Sequence, residues 1–436
     1  MTTLVNFGVS KIYLRSLVQD YFFSEKGKRI DSIGDLDQFL NFLVPELSAY
    51  DICFSVSKIF NQVSDVSDVF DIFVLKDLAE VHKEFHSDVN FALGKNQVFA
   101  VVRDIDAFDP YSAYRRAESY IEKIANLYAL FHHKESASWD RTAAVKNKGD
   151  DSLEIISVYN NPIQNGFDLP PSKAARAFNE VIKNFSMDSN ESFFKFDNVV
   201  DLHALASRSD SNTSQLVNIW ISLETLTPPS TSSSKIVNIT KKIMPFLMLN
   251  YTSRLLQRIS GDIYRWNSSE YRKLIKKVRV DSGQGSLHKI AKFIMLPEYD
   301  SLRKEMYSKL DDFPLLRYRI YSLNDIFRDS KKLVSMLNTH KKKVEWQIRR
   351  IYRTRNMIVH SGKAPAYIAI LVENSHDYLD QILNEIMRLA ARTKECSSLD
   401  QAYEFMSIQM DHYNRELDQV ESFNSENFSA AFRSWL

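Results

Sequence analysis

The chain has only two cysteines in 436 residues, Cys53 and Cys396. They lie far apart and form no Cys-x-x-Cys pair. That argues against a disulfide framework or structural zinc site and points to a reducing compartment. Glycine is also scarce, at ten residues, while Leu, Ile, Lys, Arg and Glu are abundant. This balance disfavours a turn-rich all-β fold and favours helices. Apolar runs such as 243–249 are far too short to span a bilayer. The start, MTTLVNFGVSKIYLRSL, has no basic segment followed by a long apolar stretch, so no secretory signal is expected. There is no Walker-type loop and no Gly-x-Gly-x-x-Gly, which leaves no reason to expect ATP or NAD; no cofactor and no metal is expected. Together these absences predict a cytoplasmic protein without membrane association.

Hydrophobic content of 44% and charged content of 25% are ordinary for a globular protein, and the length favours two domains over one core. The net charge of +1 conceals a division. Residues 31–110 carry fifteen acids against five Lys/Arg. Residues 251–293 carry ten Lys/Arg against three acids, and 328–355 ten against two. The C-terminal half therefore offers positive fields suited to a polyanion. The plain alternative is a set of solvated helix faces.

The first 165 residues read as a mixed α/β domain. Strands are expected at 96–104 and 152–159, with an amphipathic helix at 110–133 between them. The segment 160–172 holds Asn-Asn-Pro, Asn-Gly and Pro-Pro, which mark a domain boundary. Beyond it the chain reads as an all-α bundle, with a helical domain at 190–395 and a helical extension at 398–436. Helices are expected at 172–185, 193–207, 211–226, 235–259, 286–295, 314–327, 330–360, 364–392 and 398–420.

The helix ending at His360 carries the chemistry. At 100° per residue, Ile348, Ile351, Tyr352, Ile358 and Val359 form one core-facing stripe, and Arg355 projects into its middle. A charge on a packing seam is costly unless it is paired or serves a site. On the adjacent face Arg349, Arg353, Asn356 and His360 line up, ending where Ser361-Gly362 supplies a C-cap. In that last turn the helix dipole favours an imidazolium. Cutting RNA internally needs a base for the 2′-OH, an acid for the 5′-oxygen and a cation for the phosphorane. Histidine suits the proton transfers and arginine the anionic oxygens, and no metal is required.

The segment WQIRRIYRTRNMIVHSG (346–362) resembles the signature of HEPN domains: Arg, a polar residue, a short spacer and His. The tract from about 193 to 392 is similar to the Apea-like HEPN group of bacterial anti-phage defence proteins. NIWISLETL (218–226) and FPLLRYRIYSL (313–323) add to the match. The resemblance implies an all-α bundle that forms a homodimer or higher homo-oligomer, with two Arg/His motifs near the subunit interface. It implies a metal-independent endoribonuclease acting as a defence effector or toxin, with Arg355, Asn356 and His360 as the motif residues. Members that bind RNA or nucleotides without cutting supply the alternative. A third possibility is an interaction protein regulated by its acidic N-terminal half. A phage-encoded trigger could act on that half, by analogy only.

Helix geometry leaves the arginine open. Arg353 shares the face of His360, whereas Arg355 lies about 140° away. A site completed across a dimer would use Arg355; one formed within a single chain would favour Arg353. Glu224 is the natural acidic partner for Arg355 or His360, or else a structural counter-ion. Lys341, Lys342, Lys343, Arg349 and Arg350 would contact RNA phosphates, or form a solvated face. Tyr352 reads as core. His82 and His86 have zinc-compatible spacing but no evident third ligand, and read as an exposed polar helix. His132 and His133 read as charge complements to a helix end.

Overall fold

The computed structural model describes residues 2–24, 27–28, 30, 32–62, 72–75, 85, 97–158, 161–165, 169–187, 190–229, 234–392 and 396–432. His82 and His86 fall outside them. The chain divides into two compact units, Met1–Asn160 and Asn161–Leu436.

The first unit is mixed α/β. It contains α1 (Thr2–Phe7), α2 (Lys11–Phe23), α3 (Ile33–Phe42), β1 (Ser48–Ser57), α4 (Ile59–Gln62), β2 (Ile72–Leu75), β3 (Gln97–Ala107), α5 (Pro110–Ala129), β4 (Trp139–Asn147) and β5 (Leu153–Ser157). The strands form one antiparallel sheet in the order β2-β3-β1-β4-β5. Central β1 pairs on both edges, with Ile52 opposite both Val102 and Val145. The strand period of two sends Ile52, Phe54 and Val56 into the core that α5 covers with Ala113, Tyr114, Ala117 and Ile121. Cys53 joins Phe99, Val101 and Ala144 in a smaller cluster. Helix α5 starts where Pro110 fixes φ and the Asp109 carboxylate accepts the Ser112 N–H at 2.9 Å. Cys53 and Cys396 are both buried, and neither forms a disulfide among the described residues.

The second unit is helical. After a 3₁₀ turn (Pro162–Asn165) come α6 (Pro171–Ile182), α7 (Asn190–Arg208), α8 (Asn212–Leu226), α9 (Lys235–Leu249), α10 (Tyr251–Trp266), α11 (Ser268–Lys277), α12 (Ser286–Met295), α13 (Asp300–Lys309), α14 (Pro314–Phe327), α15 (Ser330–Ser361), α16 (Ile368–Arg392) and α17 (Leu399–Gln419). Every residue from Ile243 to Leu249 is buried, so the end of α9 has no solvent face and forms the bundle's centre. The span 235–259, expected as one helix, breaks at Asn250 (φ −93°, ψ −2°). The break falls where an all-apolar segment gives way to an amphipathic, basic one, and each half needs its own orientation. Helix α17, read from the sequence as an extension, places Leu399, Tyr403, Met406, Tyr413 and Leu417 in the same core as α9 and α15. Among the described residues no helix is long and apolar enough to cross a membrane.

Candidate functional site

Helix α15 is 32 residues long and positions the Arg/His segment. Its N-terminus is held by the Asp329 carboxylate, which accepts the N–H groups of Lys331 and Lys332. Its C-terminus closes at Gly362, whose φ of 65° is left-handed and whose N–H donates to the Ile358 carbonyl at 2.9 Å. A side chain at that φ would be strained, so glycine sets where the helix stops and leaves His360 in its last turn.

One face of α15 is core: Leu333, Leu337, Val344, Ile348, Ile351 and Thr354 are buried. Tyr352 lies beside it with its ring 5.4 Å from that of the fully buried Trp220 on α8. Val359 was expected on this face but is 50% exposed, and Thr354 takes the inner position at 4%. The buried arc rotates slightly toward Thr354 as the helix leaves the bundle.

Arg355 sits on the edge of that arc. It is half-buried, and its Nη1 donates to Asn356 Oδ1 at 3.1 Å. Its Nε is buried and has no hydrogen-bond partner among the described residues. Asn356 is half-buried, whereas Arg353 and His360 are exposed. No hydrogen bond or ion pair joins His360 to Arg355 or Arg353 among the described residues. The segment therefore presents an exposed imidazole, and a guanidinium held on the seam with its buried Nε donor unspent.

Glu224 does not meet this segment as expected. Its carboxylate accepts the Trp220 indole N–H at 2.7 Å and pairs with Lys235 at 3.0 Å. The Trp-x-x-x-Glu spacing is thus a one-turn contact within α8. It satisfies the polar end of an indole whose ring packs beneath α15.

The outer face of α15 forms an open groove of about 1110 Å³, lined by Lys342, Lys343, Arg349, Arg350 and Arg353 with Tyr367. Trp346 stands in it 78% exposed, and Glu345 is its one acid. The Arg350 guanidinium lies over the Tyr367 ring at 3.9 Å, a cation–π contact that fixes one wall. Lys341 does not line this groove. It faces a smaller cavity of about 290 Å³ with Lys241, Arg349 and Asp411.

Ion pairing takes up part of each basic stretch of the sequence. In 251–293, Lys273 pairs with Glu270, Lys277 with Glu305, Arg254 with Asp377 and Arg265 with Asp262. Lys309 adds bonds to both Glu270 and Glu305. Hydrogen bonds from Lys277 and Lys309 hold the Glu305 carboxyl down to about 2. Along α15, in contrast, Lys342, Lys343, Arg349 and Arg353 make no ion pair among the described residues. Arg258, Arg272, Lys276, Arg279, Lys289 and Lys292 of the first stretch also make no ion pair among the described residues, and in the second Arg328 and Lys332 pair with Asp300 and Asp325. What sets the α15 cations apart is that they line one groove as a positive field. Sequence reading identified the cations but not Trp346, whose only signal was a large aromatic opposite the apolar stripe. Comparison with protein-family models, curated proteins and solved structures finds no match to this chain.

Proposed function

We propose that the chain is a metal-independent endoribonuclease of the HEPN type, acting as an anti-phage defence effector or toxin. The observation that carries the reading is Arg355. An arginine kept on a packing seam with a buried, unpartnered Nε costs stability, and a site that needs a fixed cation accounts for that cost. Asn356 orients the guanidinium, and His360 follows five residues later at the helix end. The unpaired cations of the α15 groove supply the attraction for a phosphate backbone.

In this mechanism His360 takes the proton of a 2′-OH and the 2′-oxygen attacks the adjacent phosphorus. Arg355 stabilises the charge on the non-bridging oxygens, and the bond to the 5′-oxygen breaks as that atom gains a proton. The products are a 2′,3′-cyclic phosphate and a 5′-OH. Because Arg355 and His360 do not meet within one chain, the second histidine and the facing arginine come from another copy. The exposed Val359 and Met357 beside His360 suit such a contact. Purified protein is expected to cut RNA in EDTA, with His360→Ala and Arg355→Ala inactive and Arg353→Ala retaining activity. Equal rates for the His360→Ala variant and the parent would remove the assignment. Loss of activity in Arg353→Ala alone would move the catalytic arginine to Arg353.

A second reading is an RNA-binding module that does not cut. The exposed Trp346 within the basic groove favours it, because an aromatic beside backbone-tracking cations is a stacking platform for single strands. It predicts salt-dependent RNA binding with no product.

A further inference from the structure

Away from the Arg/His segment, three potential ligands converge between α7 and α16. His203 Nε2 lies 3.0 Å from His376 Nε2 and 3.0 Å from Asp380 Oδ1. His376 and Asp380 are one turn apart on α16, with His376 Nδ1 3.4 Å from Asp380 Oδ2. The two imidazoles are stacked, with ring centroids 5.0 Å apart. One ligand atom from each residue can be chosen so that all three lie within 4.8 Å of one another. The side chains are 30%, 14% and 39% exposed, so the group is fixed by the fold yet open to solvent.

The two contacts at His203 Nε2 make different demands on it. A neutral imidazole nitrogen carries either one proton or one lone pair. If His203 Nε2 holds the proton, it must share it between a histidine nitrogen and a carboxylate. If it holds the lone pair, it faces the carboxylate with nothing to donate. A cation placed among the three groups resolves this, because each gives it a lone pair. The spacing also fits: with bonds of about 2.1 Å, donors 3.0 Å apart subtend about 90° at the ion. That is the edge of an octahedral set, and it leaves positions for water. Two imidazoles and a carboxylate are the donor set of first-row divalent metals, whereas calcium and magnesium prefer all-oxygen ligands.

We propose that His203, His376 and Asp380 bind one divalent first-row transition metal ion and thereby tie α7 to α16. No residue of this set belongs to the Arg355–His360 segment, so the ion is a structural or regulatory ligand and takes no part in RNA cleavage.

The test uses the full chain, freed of metal by chelation and dialysis. Co²⁺ is titrated while visible absorption reports its coordination, Zn²⁺ is titrated by calorimetry, and thermal melts are recorded with and without each ion. One equivalent should bind with appearance of the cobalt d–d bands, and the melting temperature should rise. His203→Gln and Asp380→Asn, chosen for similar shape, should keep the metal-free melting temperature within a few degrees and lose the bands and the metal-induced rise. Should a variant fold poorly, His376→Gln provides the same reading from the other helix. No saturable binding to the parent, or equal binding by parent and folded variants, overturns the proposal. Cleavage in EDTA is scored separately, so either inference can fail without the other.

Discussion

Replacing Arg355 with methionine separates a functional arginine from a structural one. Methionine keeps an unbranched stem and nearly the same helix propensity, so the backbone of α15 has little reason to change. The substitution removes the 3.1 Å bond from Nη1 to Asn356 Oδ1, at a cost of about 1.5–3 kcal/mol because the donor is charged. It also removes the buried Nε that lacks a partner, whose desolvation costs about 1–3 kcal/mol. The two nearly cancel, leaving a net change within about 2 kcal/mol of zero. For a unit of this size that corresponds to a shift of at most several degrees in either direction, at about 2–4 °C per kcal/mol. Urea and thermal melts of parent and variant, run beside an RNA cleavage assay, should show similar stability with activity gone. A variant destabilised by more than about 2 kcal/mol would refute the reasoning, because Arg355 would then be retained for the fold.

Three further outcomes follow from the same structure. Charge removal at Lys342, Lys343 and Arg349 together should flatten the slope of log K against log salt for RNA binding by up to about 2, near 0.7 per lost phosphate contact; an unchanged slope would place the RNA elsewhere. Glu224→Gln keeps an oxygen for the Trp220 indole and loses only the Lys235 pair, so cleavage should be unchanged and stability should fall by about 1 kcal/mol or less; a large loss of cleavage in a folded variant would restore Glu224 to the site. His340 stacks on Tyr251 at 3.5 Å, and burial, then Lys343, Arg254 and Arg258, hold it down to about 4. The unfolded chain therefore binds this proton first, so the native state carries no penalty above about pH 6.5 and loses stability as the pH falls toward 4. Partial burial and screening reduce this loss from about 3 to roughly 1–2 kcal/mol, and urea melts across that range should show the parent losing stability relative to His340→Gln toward the acid end, whereas a constant difference would contradict the sign.

Local signals in the sequence were enough to locate α15, whose Gly362 stop and apolar stripe can be read residue by residue. Helices α12 and α14 were equally plain, and their observed bounds match the expected ones. Strand β4 was not, because Asp140, Arg141, Thr142 and Lys146 surround an apolar centre of only three residues, Ala143–Val145. Short α11 and α13 were missed because their polar faces are joined by long-range pairs such as Lys277–Glu305, which no local pattern encodes. The site was legible in part for the same reason. Spacing put Arg355 on the seam, whereas the Glu224 bond to Trp220 and the meeting of His203 with His376 depend on tertiary packing.

The central claim is cleavage by 2′-OH attack without a metal, and the chemistry of the cut ends tests it most directly. RNA treated with the purified protein in EDTA should yield 2′,3′-cyclic phosphate and 5′-OH ends. The same strand carrying 2′-O-methyl groups should remain intact. Cutting of the methylated strand, or 5′-phosphate ends on the products, would contradict the account.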